Sequence, residues 1–441
     1  MIDIPKLVEA IRTSKVYDVA RKTDLDVMPL MSERLENHVY LKREDQQDVF
    51  SFKIRGAYNK VASLTEEQVK RGIIGASAGN HAQGLAFAAN RIGVRPIIVM
   101  PKTTPEIKIN AVKRLGGEVV LHGNTYDDAS AHANHLSGES GAVFVHPYDD
   151  EVVVAGQGTV AMELLQQMPV SPHAVFIPVG GGGLISGMAA WLKHHHPEIK
   201  VIGVEPDDAP CMYDALEKGE RTVLDHVGIF ADGVAVKQVG KIAFELAQKL
   251  VDEVILVNTD EICAAIKDIY DESRSIAEPA GALALAGMKK YVVREKLQGK
   301  NVVAVNSGAN INFDRLRHVA ERAEIGEQKE SLFAVTIPER PGSFKEFCHL
   351  LGNRGITEFN YRYADTQEAH VFAGIQLKQG EEEKLHILKK LEEKNLPVVD
   401  LSNDEMAKQH IRYMVGGRSN NISDERLYRF EFPERPGALL R

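Results

Sequence analysis

The chain has 441 residues, 44% of them hydrophobic and 26% charged, an ordinary make-up for two to three folded domains. Its net charge of -9 argues against nucleic acid, whose phosphates need a basic face. No stretch approaches the roughly 20 apolar residues that cross a bilayer.

From Met1 to Ala20 the chain carries Asp3, Glu9 and Asp18, so it reads as neither a secretory signal nor a transit peptide. Cys211, Cys263 and Cys348 are scattered and odd in number, which fits a reducing compartment; a cytoplasmic location and no metal site are expected. From residue 39 to 307, short Val- and Ile-rich runs (72–76, 96–100, 118–121, 143–145, 174–179, 201–204, 302–306) alternate with helical patterns such as 80–91, 106–115 and 260–272. That rhythm predicts an open α/β sheet, mostly parallel, with helices on both faces.

Four segments along this stretch carry chemistry. Ser51-Phe-Lys53-Ile-Arg-Gly-Ala57 follows a strand at 39–42 and holds a lysine that partial desolvation would make nucleophilic, although a surface lysine is the default reading. Gly75-Ala-Ser77-Ala78-Gly79-Asn80-His-Ala-Gln-Gly84 joins a strand to a helix; its backbone donors suit a carboxylate, and Ser77 or Asn80 could equally be a plain helix cap. In the third, a strand runs into Gly180, Gly181, Gly182, Gly183 and Leu184 and then a helix at 186–196, an arrangement that converges amides on an anionic phosphate. The glycine spacing fails the dinucleotide fingerprint, while Glu205 at the next strand end keeps a nicotinamide enzyme open. The fourth is a buried strand ending in Asn306-Ser307-Gly-Ala-Asn310. All four lie past strand carboxyl ends, where open parallel sheets bind ligands.

Elsewhere the bland readings prevail. His194, His195 and His196 end a helix and complement its dipole. His132 and His135 share an exposed face without an acidic or cysteine partner, and Glu278 is either a neighbour of the site or a helix cap.

Beyond about Arg322 the character changes. A strand (332–337), helix (342–353), two strands (356–363, 369–377), helix (381–394) and strand (398–401) give βαββαβ, a ferredoxin-like order. Ser331-Leu-Phe-Ala-Val-Thr-Ile-Pro-Glu-Arg-Pro-Gly342 recurs as Arg426-Leu-Tyr-Arg-Phe-Glu-Phe-Pro-Glu-Arg-Pro-Gly437, so a second module is expected to begin near 425 and to stay incomplete at Arg441.

The four segments, with Glu278-Pro-Ala-Gly281, together resemble the fold-type-II pyridoxal-phosphate (PLP) enzymes, specifically the biosynthetic threonine dehydratase family, from about Tyr17 onward. The resemblance implies a two-domain α/β fold with tryptophan synthase β-like open sheets, plus an α+β ferredoxin-like (ACT-like) regulatory part. It implies a catalytic region over 1–322 with a smaller subdomain at roughly 45–150, a linker at 323–330, a first module at 331–412 and the start of another at 425–441. Lys53 should carry PLP and move protons, and Gly180 to Gly183 with Leu184 should cradle its phosphate. Asn80 should meet the phenolic oxygen, Ser307 the pyridine nitrogen, and the loop of Ser77, Ala78, Gly79 and Asn80 the substrate carboxylate.

A hydroxyl such as Ser307 restrains the ring as an electron sink, which favours elimination. The implied reaction converts L-threonine, and also L-serine, to the 2-oxo acid and ammonia, as the committed step of isoleucine biosynthesis. Isoleucine inhibition, valine activation and a homotetramer are implied too, with inhibition weakened by the incomplete module. The alternatives are a serine lyase or racemase on the same core, an NAD-dependent dehydrogenase, and a non-catalytic amino-acid sensor.

Overall fold

The computed structural model describes residues 2–404 apart from 328, 353, 364–366 and 379. The second Pro-Glu-Arg-Pro-Gly copy and the module expected at 425–441 lie outside the described residues. The chain divides into two compact units, the first running to Leu316 and the second beginning at Arg317.

In the first unit ten strands occur in chain order: β1 (Leu25–Val27), β2 (His38–Arg43), β3 (Ile73–Ala76), β4 (Pro96–Met100) and β5 (Glu118–Leu121). They continue with β6 (Val143–Phe144), β7 (Ala174–Pro178), β8 (Lys200–Pro206), β9 (Glu253–Val257) and β10 (Asn301–Asn306). Instead of one sheet they make two. A six-stranded sheet has the order β1-β2-β10-β7-β8-β9 and a four-stranded sheet β5-β4-β3-β6. Every pairing is parallel except β1 with β2.

The sequence explains the layering. Strands β3 and β7 are buried at every residue, as continuous apolar runs require when helices cover both faces of a sheet. One core packs Val175, Ile177, Val303 and Val305 against Ile185, Met188 and Leu192; another sets Ile73 and Ile98 against Leu85, Ala86 and Val112. The segment after β2 returns to the end of β10, where β2 and β10 pair from His38/Asn301 to Arg43/Asn306. The N-terminal part of the unit therefore closes on its last strand.

The second unit follows the βαββαβ order: β11 (Glu330–Pro338), helix Ser343–Leu351, β12 (Ile356–Tyr363), β13 (Glu368–Gln376), helix Gly380–Glu393 and β14 (Val398–Asp400). Its antiparallel sheet has the order β12-β13-β11-β14. Phe333, Val335 and Ile337 alternate inward from β11 onto Phe347, Leu351, Ile387 and Leu391 of the two helices. Where the first Pro-Glu-Arg-Pro-Gly ends β11, Glu339, Arg340, Gly342, Phe344, Phe359 and Tyr361 line a recess of about 530 Å³. Among the described residues no helix is long and apolar enough to cross a membrane.

Candidate active site

Lys53 opens the helix Lys53–Val61 at the end of the connection from β2. That connection is stitched to the segment after β10: the Phe52 amide donates to the Ser307 carbonyl (3.1 Å), the Ala309 amide to the Phe50 carbonyl (2.9 Å), and Ser51 bridges Gly308. Lys53 and Ser307 are thereby held side by side. Lys53 Nζ donates to the Pro147 carbonyl at 3.0 Å. Burial pushes the amine down to about 8, against a smaller upward pull from Glu278.

Two residues on, Arg55 is fully buried. It reaches Glu44 at 2.7 Å and Glu163 at 2.6 Å, and Glu163 also takes Lys42 at 2.7 Å. Two cations and two carboxylates thus neutralise one another inside the protein, which is what makes their burial tolerable. The cluster joins the turn Glu44–Gln46, the Lys53 helix and the helix Glu151–Gln167.

The tetraglycine follows β7, and the helix after it, Gly183–His195, starts three residues earlier than the sequence pattern places it. Gly182 adopts φ +90, and its carbonyl accepts from the Ser186 amide, which closes the first turn inside the glycine run. Among the described residues, the amides of Gly180, Gly181, Gly182, Gly183 and Leu184 donate to no protein acceptor. Five such donors in succession at a helix start form an anion cradle.

The cradle is fixed from two sides. Tyr148 stands against it so closely that a Cβ on Gly181 would lie 2.2 Å from the ring. Both Asp149 oxygens take the Lys241 and Ile242 amides (2.9 and 2.8 Å), while the Gly240 amide donates to the Gly181 carbonyl at 3.0 Å. Because Tyr148 directly follows Pro147, the Lys53 amine and the cradle are separated by one residue of backbone.

Asn80 is the first residue of the helix Asn80–Ile92. Before it, Ser77 Oγ accepts from the Gly79 amide at 3.2 Å, so Ser77, Ala78 and Gly79 form a tight half-buried loop after β3. Asn80 Nδ2 donates to Glu278 Oε1 at 2.6 Å, which ties this loop to the large sheet. Burial, with Asp232 adding, pushes the Glu278 carboxyl up to about 7 against the downward pull of Asn80. His81, next along, is buried with Nε2 on the Val145 carbonyl (3.1 Å); burial and then Lys53 push it down to about 3, so it is neutral. Among the described residues, Ser307 Oγ makes a long contact to the Ala280 carbonyl (3.4 Å), and buried Ser51 Oγ, Asn306 Nδ2 and Ser186 Oγ have no protein partner.

The structure therefore gathers Lys53, Asn80, the glycines and Ser307 around one cleft, with the 77–80 loop at its edge. Pro147, Tyr148 and Asp149 were not anticipated, the only sequence signal being a short run after the strand at 143–145; of the two readings of Glu278, its contact with Asn80 favours the neighbour of the site over the side-chain cap. Glu205, weighed as a ribose-binding acid, is spent elsewhere. It is buried and caps the helix Cys211–Lys218, accepting from the Met212 and Tyr213 amides at 2.8 Å each. His135, expected to lack an acidic partner, lies 3.5 Å from Glu139.

A phosphate cradle, a lysine amine of lowered basicity and a slot between Asn80 and Ser307 fit one cofactor, PLP. The comparisons agree: residues 16–308 match the family described as pyridoxal-phosphate dependent enzyme, so fold and site define a PLP-dependent enzyme of fold type II. Residues 321–411 match the C-terminal regulatory domain of threonine dehydratase. The biosynthetic L-threonine dehydratase of Burkholderia multivorans is 55% identical over 434 residues, covering 98% of this chain and 85% of that one.

Among solved structures, the processed form of threonine deaminase isoform 2 from Solanum lycopersicum superposes with a TM-score of 0.72 at 49% identity, covering 73% of this chain and 88% of that one. Serine racemase from Dictyostelium discoideum gives 0.65 at 32%, covering 71% and 99%. The chain belongs to the biosynthetic threonine dehydratase family.

Proposed function

We propose that this chain dehydrates and deaminates L-threonine, with L-serine as a second substrate, giving 2-oxobutanoate and ammonia from threonine. The observation that carries the reading is the Lys53 amine, set between the amide cradle and Ser307. When bound, PLP supplies an electron sink for the bond broken at Cα. The chain's own residues do the rest.

The amides of Gly180 to Leu184 would hold the phosphate, and Asn80 would meet the phenolic oxygen. The loop of Ser77, Ala78, Gly79 and Asn80 takes the substrate carboxylate at a helix start. Lys53, whose amine is neutral above about pH 8, would hold PLP through Nζ and, as a free amine, would take the Cα proton at that atom. Ser307 would set a hydroxyl at the ring nitrogen, too weak an acid to protonate it, which would favour loss of the β-hydroxyl. One water leaves across Cα–Cβ and one is consumed when ammonia is released.

A racemase reading shares this core, and the 32% identical structure keeps it in view. The second unit favours the dehydratase, because its match is to that family's regulatory domain. With that match goes control by isoleucine (inhibition) and valine (activation), in a cytoplasmic homotetramer of the isoleucine pathway. The division of the chain we propose is a catalytic region over 1–322, with a smaller subdomain near 45–150, a linker at 323–330, and modules at 331–412 and from 425.

The test is borohydride reduction of the holoenzyme followed by peptide mapping, beside Lys53→Ala. The reduced cofactor should map to Lys53, and the variant should lose at least about 10³-fold in turnover. A label on another lysine, or a variant that keeps its activity, overturns the assignment.

A further inference from the structure

Glu278 occupies the N-cap of the helix Pro279–Glu295, yet its side chain caps nothing there. Pro279 has no N–H and the Gly281 and Ala282 amides donate to the Glu278 carbonyl (2.8 and 3.1 Å), so the side chain is left to turn into the cleft. The backbone fixes its root, because the Glu278 amide donates to the Gly308 carbonyl at 3.1 Å, one residue past Ser307. The side chain is buried, at 4% exposure, and Oε1 accepts from Asn80 Nδ2 at 2.6 Å.

The other end of the Asn80 amide is also held. Asn80 Oδ1 accepts from Asn310 Nδ2 at 2.6 Å, and Asn310 Nδ2 is itself anchored on the Val49 carbonyl at 2.9 Å. Glu278, Asn80 and Asn310 therefore form a relay across the cleft, from the helix after β3 to the segment after β10.

The relay has a directional consequence. An asparagine amide has one acceptor end and one NH2 with two donors, and a 180° flip exchanges them at little cost when nothing discriminates. Glu278 discriminates above about pH 7, where its carboxyl has lost its proton and accepts only. It draws the NH2 toward itself and leaves the oxygen for Asn310. One N–H of Asn80 goes to Glu278 and the second remains for the cleft. A phenolic oxygen that carries negative charge needs such a donor, and the flipped amide would offer it a repelling carbonyl.

We propose that Glu278 is a positioning residue for PLP, fixing the flip state of Asn80 so that an amide N–H, not a carbonyl, faces the cofactor's phenolic oxygen. This rests on the assignment of Asn80 to that oxygen. Glu278 acts through Asn80 and touches no reacting atom.

The experiment uses full-length holoenzyme and four variants: Asn80→Ala, Glu278→Ala, Glu278→Gln, and the double variant Asn80→Ala/Glu278→Ala. For each, the PLP dissociation constant, the absorption maximum of the bound cofactor and the thermal midpoint are measured. Glu278→Ala should weaken PLP binding by about tenfold or more and move the absorption maximum, as loss of a charge-assisted contact predicts. Glu278→Gln, whose side chain presents an NH2 as readily as an oxygen, does not discriminate between the two ends of Asn80 and should lose affinity toward the level of Glu278→Ala. The double variant should bind PLP no more weakly than Asn80→Ala alone, because the two act in series.

Additive losses in the double variant overturn the proposal, as does a Glu278→Gln with parental affinity and spectrum. So does a Glu278→Ala with parental affinity and spectrum beside an impaired Asn80→Ala. If Asn80→Ala itself retains parental affinity and spectrum, the assignment of Asn80 falls and the proposal falls with it.

Discussion

A lysine amine in water keeps its proton to about pH 10.4. That of Lys53, half-buried against the Pro147 carbonyl, is pushed down to about 8. Only the neutral amine attacks a carbonyl carbon, and the neutral fraction grows as pH rises toward 8. Reconstitution of cofactor-free protein with PLP should therefore accelerate by roughly tenfold per pH unit below 8 and level off above it. Stopped-flow mixing between pH 6.5 and 9 checks this; a flat profile contradicts the lowered basicity. The candidate residues on glycine-rich or strand-end segments were legible because their local context is unusual. Tyr148 was not: an aromatic residue in a loop becomes a wall of the cradle only when β6 and β7, in different sheets, bring Pro147–Asp149 against Gly181. Nothing local in the sequence records that approach.

Among the elements, the strands were the easiest to read, since β3, β4, β7 and β10 are unbroken apolar runs with both faces covered. The pattern did not say that these strands form two sheets, because periodicity reports which faces are buried and is silent on partners. The start of the helix Gly183–His195 was misplaced because glycines are poor helix formers and only an external constraint keeps them in a first turn. Arg55 shows the same limit. It lies two residues from Lys53, where an arginine is ordinarily solvated, yet it links one turn and two helices through Glu44 and Glu163. Arg55→Ala leaves two carboxylates buried against Lys42 alone. It should cost about 3–5 kcal/mol, as broken buried pairs do. Urea unfolding of the cofactor-free protein measures it, and a loss under about 1 kcal/mol would show that the cluster contributes little.

For the whole molecule, the second unit has its own core and its own sheet, and its βαββαβ order was readable from alternating periods of apolar residues. Its recess was not, because Arg340 and Gly342 at the end of β11 meet Phe359 and Tyr361 of β12 only through the pairing of both strands with β13. With an arginine, a glutamate and three aromatic rings at its wall, the recess offers a partner for each end of a zwitterion and an apolar seat for a branched side chain. Allosteric control requires only that an effector favour one state of the enzyme over another. With isoleucine as the proposed effector, Arg340→Ala should raise its concentration for half-inhibition by about tenfold or more while basal kcat stays within about twofold. Steady-state assays with and without isoleucine decide it, and unchanged inhibition would remove the recess from the effector's path.

The stitching of residues 50–53 to 307–310 also bears on how the protein is made. Asn310 and Val49 are 261 residues apart in sequence, and β2 pairs with β10 over a similar span. Closing so long a loop costs entropy that grows only slowly with length, but it cannot happen before the far end exists. During synthesis Lys53 emerges early and waits, without Ser307 beside it, until about 310 residues have left the ribosome. The cofactor seat is thus the last thing the catalytic unit acquires, and a chain interrupted before β10 has the lysine but no place for the ring it should carry.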